Sequence, residues 1–489
     1  MEMNRAFSAI LLASFLTGCA GSYFHDAGAP PAANAITLET WPHRELWTGV
    51  VFNGDKVGFT RRQVRAAAGA PDRWEIESEA VMRLQFLGFD KKIRLHAVDR
   101  VRADFTLEAF TYENEIDGNR LQVSGAVGDN AVTLTVKASS GSEAKTLKVA
   151  GAVYPTSALA FLPVFQGMKI GENARYAVFH GETQAVTEAE QEVLGYEASK
   201  LFEGSAFKVA TRLLGLETTT WIAADGRPLF ELGMRGVIIS ALEDEARARR
   251  YLVEASLNKR DAMVDFSLLR AGPIEAPRRV SRMHIVLTGF PKEFILESET
   301  AQACTRSAER LECDIDRSAP LAQGEFQRYL RPTLAAPSTL HEISSLARSI
   351  AGGAASDDQR IARLLAWIDA NIAKQAADAF TATDVLHARR AECQGHAYLF
   401  AAFARALGIP TRIVNGIAYS ADHGGFLYHS WNEAWIAGRG WQPVDATFGQ
   451  AHADATHVKL IEGETAAELV PLVSLVGRVR VESVSALRW

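Results

Sequence analysis

Cysteine is scarce in this chain: only Cys19, Cys304, Cys313 and Cys393 occur among 489 residues. Neither their spacing nor the histidine pattern has the form of a metal site, so no metal or cofactor is expected. Basic runs are missing as well. Lysine and arginine total 52 against 58 acidic residues, a net charge of −6, which argues against a nucleic-acid partner. The N-terminal apolar run, Ala6 to Leu16, is too short to span a bilayer as a permanent helix. Internal repeats and disorder-type bias are absent too. What remains, 48% apolar and 22% charged, is ordinary globular composition, with length for two to four domains.

The short apolar run is informative for what surrounds it. Arg5 precedes it, and Leu16-Thr17-Gly18-Cys19 follows. The pattern resembles a bacterial lipobox, with residues 1–18 as signal peptide and Cys19 as the lipidated N-terminus. An ordinary signal peptide with an incidental cysteine is the alternative. Ala20-Gly21 follow without an aspartate, which by the usual sorting pattern directs the chain to the outer membrane, facing the periplasm. Acyl chains would then anchor it to the membrane. Residues 19–40, rich in Ala, Gly and Pro, read as a tether. In an oxidising compartment Cys304 and Cys313, on either side of a polar loop, are a candidate disulfide; two unpaired thiols are the alternative.

Residues 41–251 read mostly as strands. Trp74 to Phe86, Val98 to Tyr112 and Arg120 to Ala126 alternate, with hairpin turns at Asp117-Gly118 and Gly128-Asp129-Asn130. One short helix is expected between Pro155 and Phe165. The expectation is a large antiparallel sheet, curved or partly closed, with no chemistry of its own. Residues 252–330 form a second β-rich region. Residues 331–489 open with amphipathic helices at Ser338–Ile350 and Asp357–Ala373 and close with strands at Val458–Ile461 and Val476–Val484. The fold class is α+β.

The chemistry lies between Arg389 and Phe448. Cys393 precedes an apolar stretch with helical spacing (Ala397, Phe400, Ala401, Ala404, Leu407) that stops at Gly408-Ile409-Pro410. A cysteine at a helix N-terminus meets unpaired N–H groups and the positive dipole end, which favour a thiolate and an oxyanion. His429 lies on a strand-like segment that alternates His429, Trp431, Glu433 and Trp435. Asp445 ends the next strand. Thiol, imidazole and carboxylate form the set that nucleophilic cysteine chemistry needs. His396 reads as a packed or solvated histidine, and Trp431 and Trp441 as core or cleft-wall residues.

These segments resemble the transglutaminase-like superfamily. Glu392-Cys393-Gln394-Gly395-His396-Ala397 is similar to its nucleophile motif, and Arg405 to Arg412 to the continuation of its helix. His429-Ser430-Trp431-Asn432-Glu433 and Pro443-Val444-Asp445-Ala446-Thr447 are similar to its histidine and aspartate motifs. The resemblance covers about residues 340–460. Ala391 departs from it, standing where many members carry glycine. It implies a papain-like fold and a Cys393-His429-Asp445 triad that attacks a peptide or protein amide; the envelope context adds peptidoglycan amides and favours hydrolysis over transamidation. A non-catalytic peptide-binding module is the rival reading.

Parity gives one geometric expectation. His429 and Asp445 are both odd, so they share a face of an antiparallel hairpin only if the paired indices sum to an even number. A three-residue connection, Ala437 to Arg439, satisfies this. A two-residue turn does not.

Overall fold

The computed structural model describes residues 23–31, 36–52, 54–70, 72–86, 89–250, 267–296, 298–375 and 377–488. Cys19 and the signal segment lie outside them. Strands dominate, with the helices gathered in the C-terminal part.

The first part is one 16-stranded sheet, antiparallel except where Val153–Pro155 runs parallel to Asn173–His180. Most neighbouring strands follow in sequence, with hairpins at the expected Asp117-Gly118 and Gly128 to Asn130 turns, while Ile238–Glu243 pairs back onto Glu45–Phe52. The sheet curls on itself. Phe110 and Phe179 lie far apart in strand order, yet their rings meet at 4.2 Å. Alternating residues of both halves (Val64, Ile76, Val101, Val123, Val178, Ala189) fill the enclosed core, capped by Phe161 and Leu162 of the expected short helical segment. The Val98–Tyr112 alternation is broken by a tight turn at Asp104-Phe105, where Phe105 has φ 67°. Phe24–Asp26, expected to be tether, instead pairs with Glu197–Ser199, and Phe24 stacks on Trp221.

Asp99 sits inside this core, accepting hydrogen bonds from Tyr112 Oη and, at 2.6 Å, from Ser157 Oγ. Burial raises its carboxyl to about 6, against the pull of those two hydrogen bonds and of Arg62. A folded value above the unfolded one (~3.9) means that its stabilisation is complete in acid and lost as pH rises through 6, by about 3 kcal/mol. Denaturant titrations of wild type and Asp99→Asn should therefore show the stability advantage of wild type shrinking from pH 4 to pH 7. A constant difference would contradict this.

The chain from residue 267 onward forms a second body. Leu269–Arg270, Gly425–Ile436, Thr411–Ser420 and His457–Glu462 form a sheet in that order, with Gly440–Val444 also on Gly425–Ile436. Gln302–Ser307, Arg310–Asp316, Val280–Thr288 and Arg480–Arg488 form another. This corrects the expected organisation. The described part of 252–330 is no independent region: Met283, Ile285 and Leu311 share a core with Ile417, Phe426 and Val458. Cys304 and Cys313 are paired across the hairpin and disulfide-bonded.

Helices His341–Ala351, Asp357–Asn371 and Ala382–Ala388 surround the helix Cys393–Ala406. The last is buried from Gly395 to Arg405, so its apolar residues face neighbours all round, as a central helix requires. Phe400 and Phe403 pack with Ile361, Leu364 and Ile368, and alanines at 397, 401, 402 and 404 let the surrounding elements approach closely. Burial of each phenylalanine contributes about 2–3 kcal/mol. Gly408 (φ 80°) ends the helix in the left-handed conformation, ahead of Pro410. The rolled sheet docks onto this body: Ser139 Oγ meets Thr381 Oγ1 at 2.7 Å, Ser140 Oγ donates to Leu334 O at 2.7 Å, and Lys91 pairs with Asp378.

Candidate active site

Cys393 is the first residue of the central helix and is half-buried. Glu392 before it is extended, and its side chain does not cap the helix, so the first-turn N–H groups stay free of a side-chain acceptor. The helix is drawn tightly against the segment before it. A Cβ on Gly395 would meet Ala391 Cβ at 2.6 Å and Val385 Cγ2 at 2.9 Å. Ala391 fits because it lies in a short extended pair with Lys374, while the left-handed residue is Arg389 (φ 56°).

The strand Gly425–Ile436 presents His429, and the hairpin after it has the odd connection that parity requires. Ile436 pairs with Gly440 and Asn432 with Val444, leaving Ala437 to Arg439 as the loop. Gly438 (φ 77°) and Gly440 (φ 114°) supply its left-handed conformations. His429 Nε2 donates to Asp445 Oδ2 at 2.7 Å, both side chains being buried. With Nε2 spent there, Nδ1 is the nitrogen left to serve the Cys393 thiol. Burial works against the His429 imidazolium, but the charge and hydrogen bond of Asp445, then Cys393, raise it to about 9.

Asp445 is saturated. Oδ1 accepts the backbone N–H of Thr447 (2.7 Å) and Phe448 (3.0 Å), and Oδ2 accepts from His429 and from His457 Nε2 (2.9 Å). Burial alone would raise this carboxyl, yet the two histidines hold it well below the usual range. Trp431 and Phe448 lie parallel to the His429 ring, at 6.1 and 4.9 Å. Trp431 is buried and Phe448 is partly exposed.

Several participants gave no sequence signal. His457 reaches Asp445 from a strand two removed from that of His429. His429 pairs with Gly416 and His457 with Ala418 on the intervening strand, and the two rings lie 5.7 Å apart. Glu392 is the second. Burial, then the hydrogen bond and charge of Asp378, raise its carboxyl to about 8, against the pull of Lys91. The pair thus shares a proton at neutral pH, which keeps a second negative charge away from the nucleophile. His396 is buried, with Nδ1 2.9 Å from Glu392 O, as a packed histidine. Trp441 is also buried, against Trp435.

Among the described residues, His429, Asp445 and His457 are the cluster able to hold a metal ion. Both histidines already donate to one carboxylate oxygen there, which hydrogen bonds fully explain.

A model of the transglutaminase-like superfamily matches residues 344–446. Kyphoscoliosis peptidase of Mus musculus is 32% identical over 132 residues, which is 24% of this chain and 20% of that protein. The chain thus spans about a fifth of the length of the curated relatives it matches. Among solved structures, a candidate cysteine protease from Cytophaga hutchinsonii superposes with a TM-score of 0.30 at 18% identity, over 42% of this chain and 86% of that one. A β-barrel-like protein of unknown function from Brucella abortus gives 0.32 at 10%, over 41% and 95%. Residues 344–446 of this chain, which hold Cys393, His429 and Asp445, are a transglutaminase-like superfamily domain.

Proposed function

We propose that this chain is a cysteine-dependent amide hydrolase of the bacterial envelope, held at the outer membrane by lipid on Cys19 and facing the periplasm. The observation that carries the reading is the buried His429–Asp445 pair at 2.7 Å, with Cys393, at the N-terminus of the central helix, electrostatically coupled to that imidazole. The helical layer on an antiparallel sheet supports the papain-like arrangement. Cys393 attacks the carbonyl of a peptide or peptidoglycan amide as the thiolate, and the first-turn N–H groups receive the oxyanion. The His429 imidazolium gives its Nδ1 proton to the departing amine, leaving a thioester on Cys393. Water, deprotonated by the now neutral imidazole, resolves it. An amine in place of that water would give transamidation, and hydrolysis is preferred because envelope peptides and peptidoglycan offer amides to cut. A thiol has no task in a pure peptide-binding cleft, which weighs against the non-catalytic alternative.

Intact-mass spectrometry after rapid mixing with muropeptides or a glutamine-containing peptide tests this. The expected result is an acyl adduct on wild type that is absent from Cys393→Ser. No adduct with either class, under conditions where iodoacetamide modifies Cys393, would overturn the enzymatic reading.

A further inference from the structure

His457 has no part in the steps above, yet it is completely buried and both of its ring nitrogens face acceptors. Nε2 lies 2.9 Å from Asp445 Oδ2, and Nδ1 lies 3.1 Å from the Asp454 carbonyl oxygen and 3.5 Å from Asp454 Oδ1. Neither a carboxylate oxygen already taking an N–H from His429 nor a backbone carbonyl can donate. Both nitrogens of His457 must therefore carry hydrogen, so the ring is an imidazolium on geometry alone.

Asp454 completes the arrangement. Its Oδ1 accepts from Thr456 N (2.8 Å) and Thr456 Oγ1, and its Oδ2 accepts from Arg278 Nη1 (2.8 Å) and Gln450 Nε2 (3.0 Å). All four are donors, so Asp454 is ionised. From His429 inward the charges then alternate in contact: His429, Asp445, His457, Asp454, Arg278. The line closes on itself, because Arg278 lies 3.9 Å over the Phe448 ring and Phe448 stacks on His429. Arg317 also borders His457, donating to its carbonyl at 3.1 Å.

We propose that His457 is a positioning residue of this site, a second imidazolium that pins the Asp445 carboxylate from the far side and offsets its pull on the His429 proton. The inference rests on the reading of His429 as the catalytic acid and base. Two demands on Asp445 conflict. It must be anionic to orient His429, but a buried carboxylate facing a single imidazolium would hold that proton too firmly for transfer to a leaving amine. A permanent cation sharing Oδ2 moderates the pull and fixes the oxygen in place. Burial opposes the charge on His457, and Asp445 and Asp454 together restore it, raising the imidazolium above its ordinary value.

The test is an NMR titration of full-length protein carrying ring-labelled histidine, with His429 assigned by its absence from His429→Ala. His457→Gln keeps an N–H for Asp445 but removes the charge. Two cationic rings 5.7 Å apart in a buried site repel strongly enough that the His429 midpoint should rise by about one pH unit in this variant. Asp454→Asn, which weakens the hold on the His457 proton, should move it in the same direction. Unchanged midpoints in folded variants would make His457 a packing residue and overturn the proposal. If His457→Gln fails to fold, Asp454→Asn decides. The readout needs no turnover, so a failed acyl-adduct experiment and a failed titration are separate results.

Discussion

Asp445→Asn will slow acyl-enzyme formation by about three to four orders of magnitude without unfolding the chain. The reason is the saturation of this carboxylate by four donors, two backbone N–H groups on Oδ1 and two histidine nitrogens on Oδ2. An asparagine has one accepting oxygen. If that oxygen stays with Thr447 and Phe448, its NH2 group confronts the N–H of His429, and the imidazole must place its proton on Nδ1. That is the nitrogen which the mechanism requires to take the thiol proton. The anion that raises the imidazolium to about 9 is lost in the same step. The cost to stability is smaller, about 1–3 kcal/mol for a mismatched buried polar group. Single-turnover intact-mass kinetics give the rate, and thermal melting gives the control. A loss of less than tenfold in a folded variant would reduce Asp445 to a spacer and remove it from the triad.

Local patterns made much of this site legible. The helical spacing from Ala397 to Leu407, the Gly408 stop and the parity of His429 and Asp445 all concern neighbours in sequence or one hairpin. There the side-chain period alone decides which face a residue occupies. His457 was illegible for the opposite reason. Its contact with Asp445 depends on the register of a third strand, which is not a property of the residues around His457. The separate β-rich region expected at 252–330 was misjudged for a similar reason. Val280–Thr288 reads as a strand wherever it sits, but its partner is Arg480–Arg488, about 200 residues away. Glu392 and Asp378 look like ordinary surface acids until Lys91 arrives from the rolled sheet.

The second large effect concerns stability and lies on the same sheet face as His429. Glu433 is buried, and accepts from Arg412 Nε at 2.6 Å and Lys459 Nζ at 2.9 Å. Arg412 and Lys459 share Glu299 as well, at 3.1 and 2.6 Å, and Arg412 reaches Glu462 at 3.3 Å. Arg317 lies nearby, where burial lowers its guanidinium against the opposing charges of Glu433, Asp454 and Glu299. Glu433→Ala would leave Arg412 and Lys459 facing Glu299, with the more exposed Glu462 beside Arg412. Breaking such a cluster costs about 3–5 kcal/mol, well above the value of the pair relative to apolar replacements. The pH dependence has a definite sign. Burial would raise the Glu433 carboxyl, but Lys459 and Arg412 hold it below its ordinary value. Its contribution is therefore present above the unfolded value of ~4.3 and is lost as pH falls through the lower folded one. Guanidinium titrations of wild type and Glu433→Ala should differ most near pH 7 and converge below pH 4. Glu433→Gln, which keeps one acceptor, should fall between them. A deficit under 1 kcal/mol at pH 7, or one that does not shrink in acid, would mean that Glu299 and Glu462 alone neutralise the cluster, and that the face bearing His429 does not depend on Glu433.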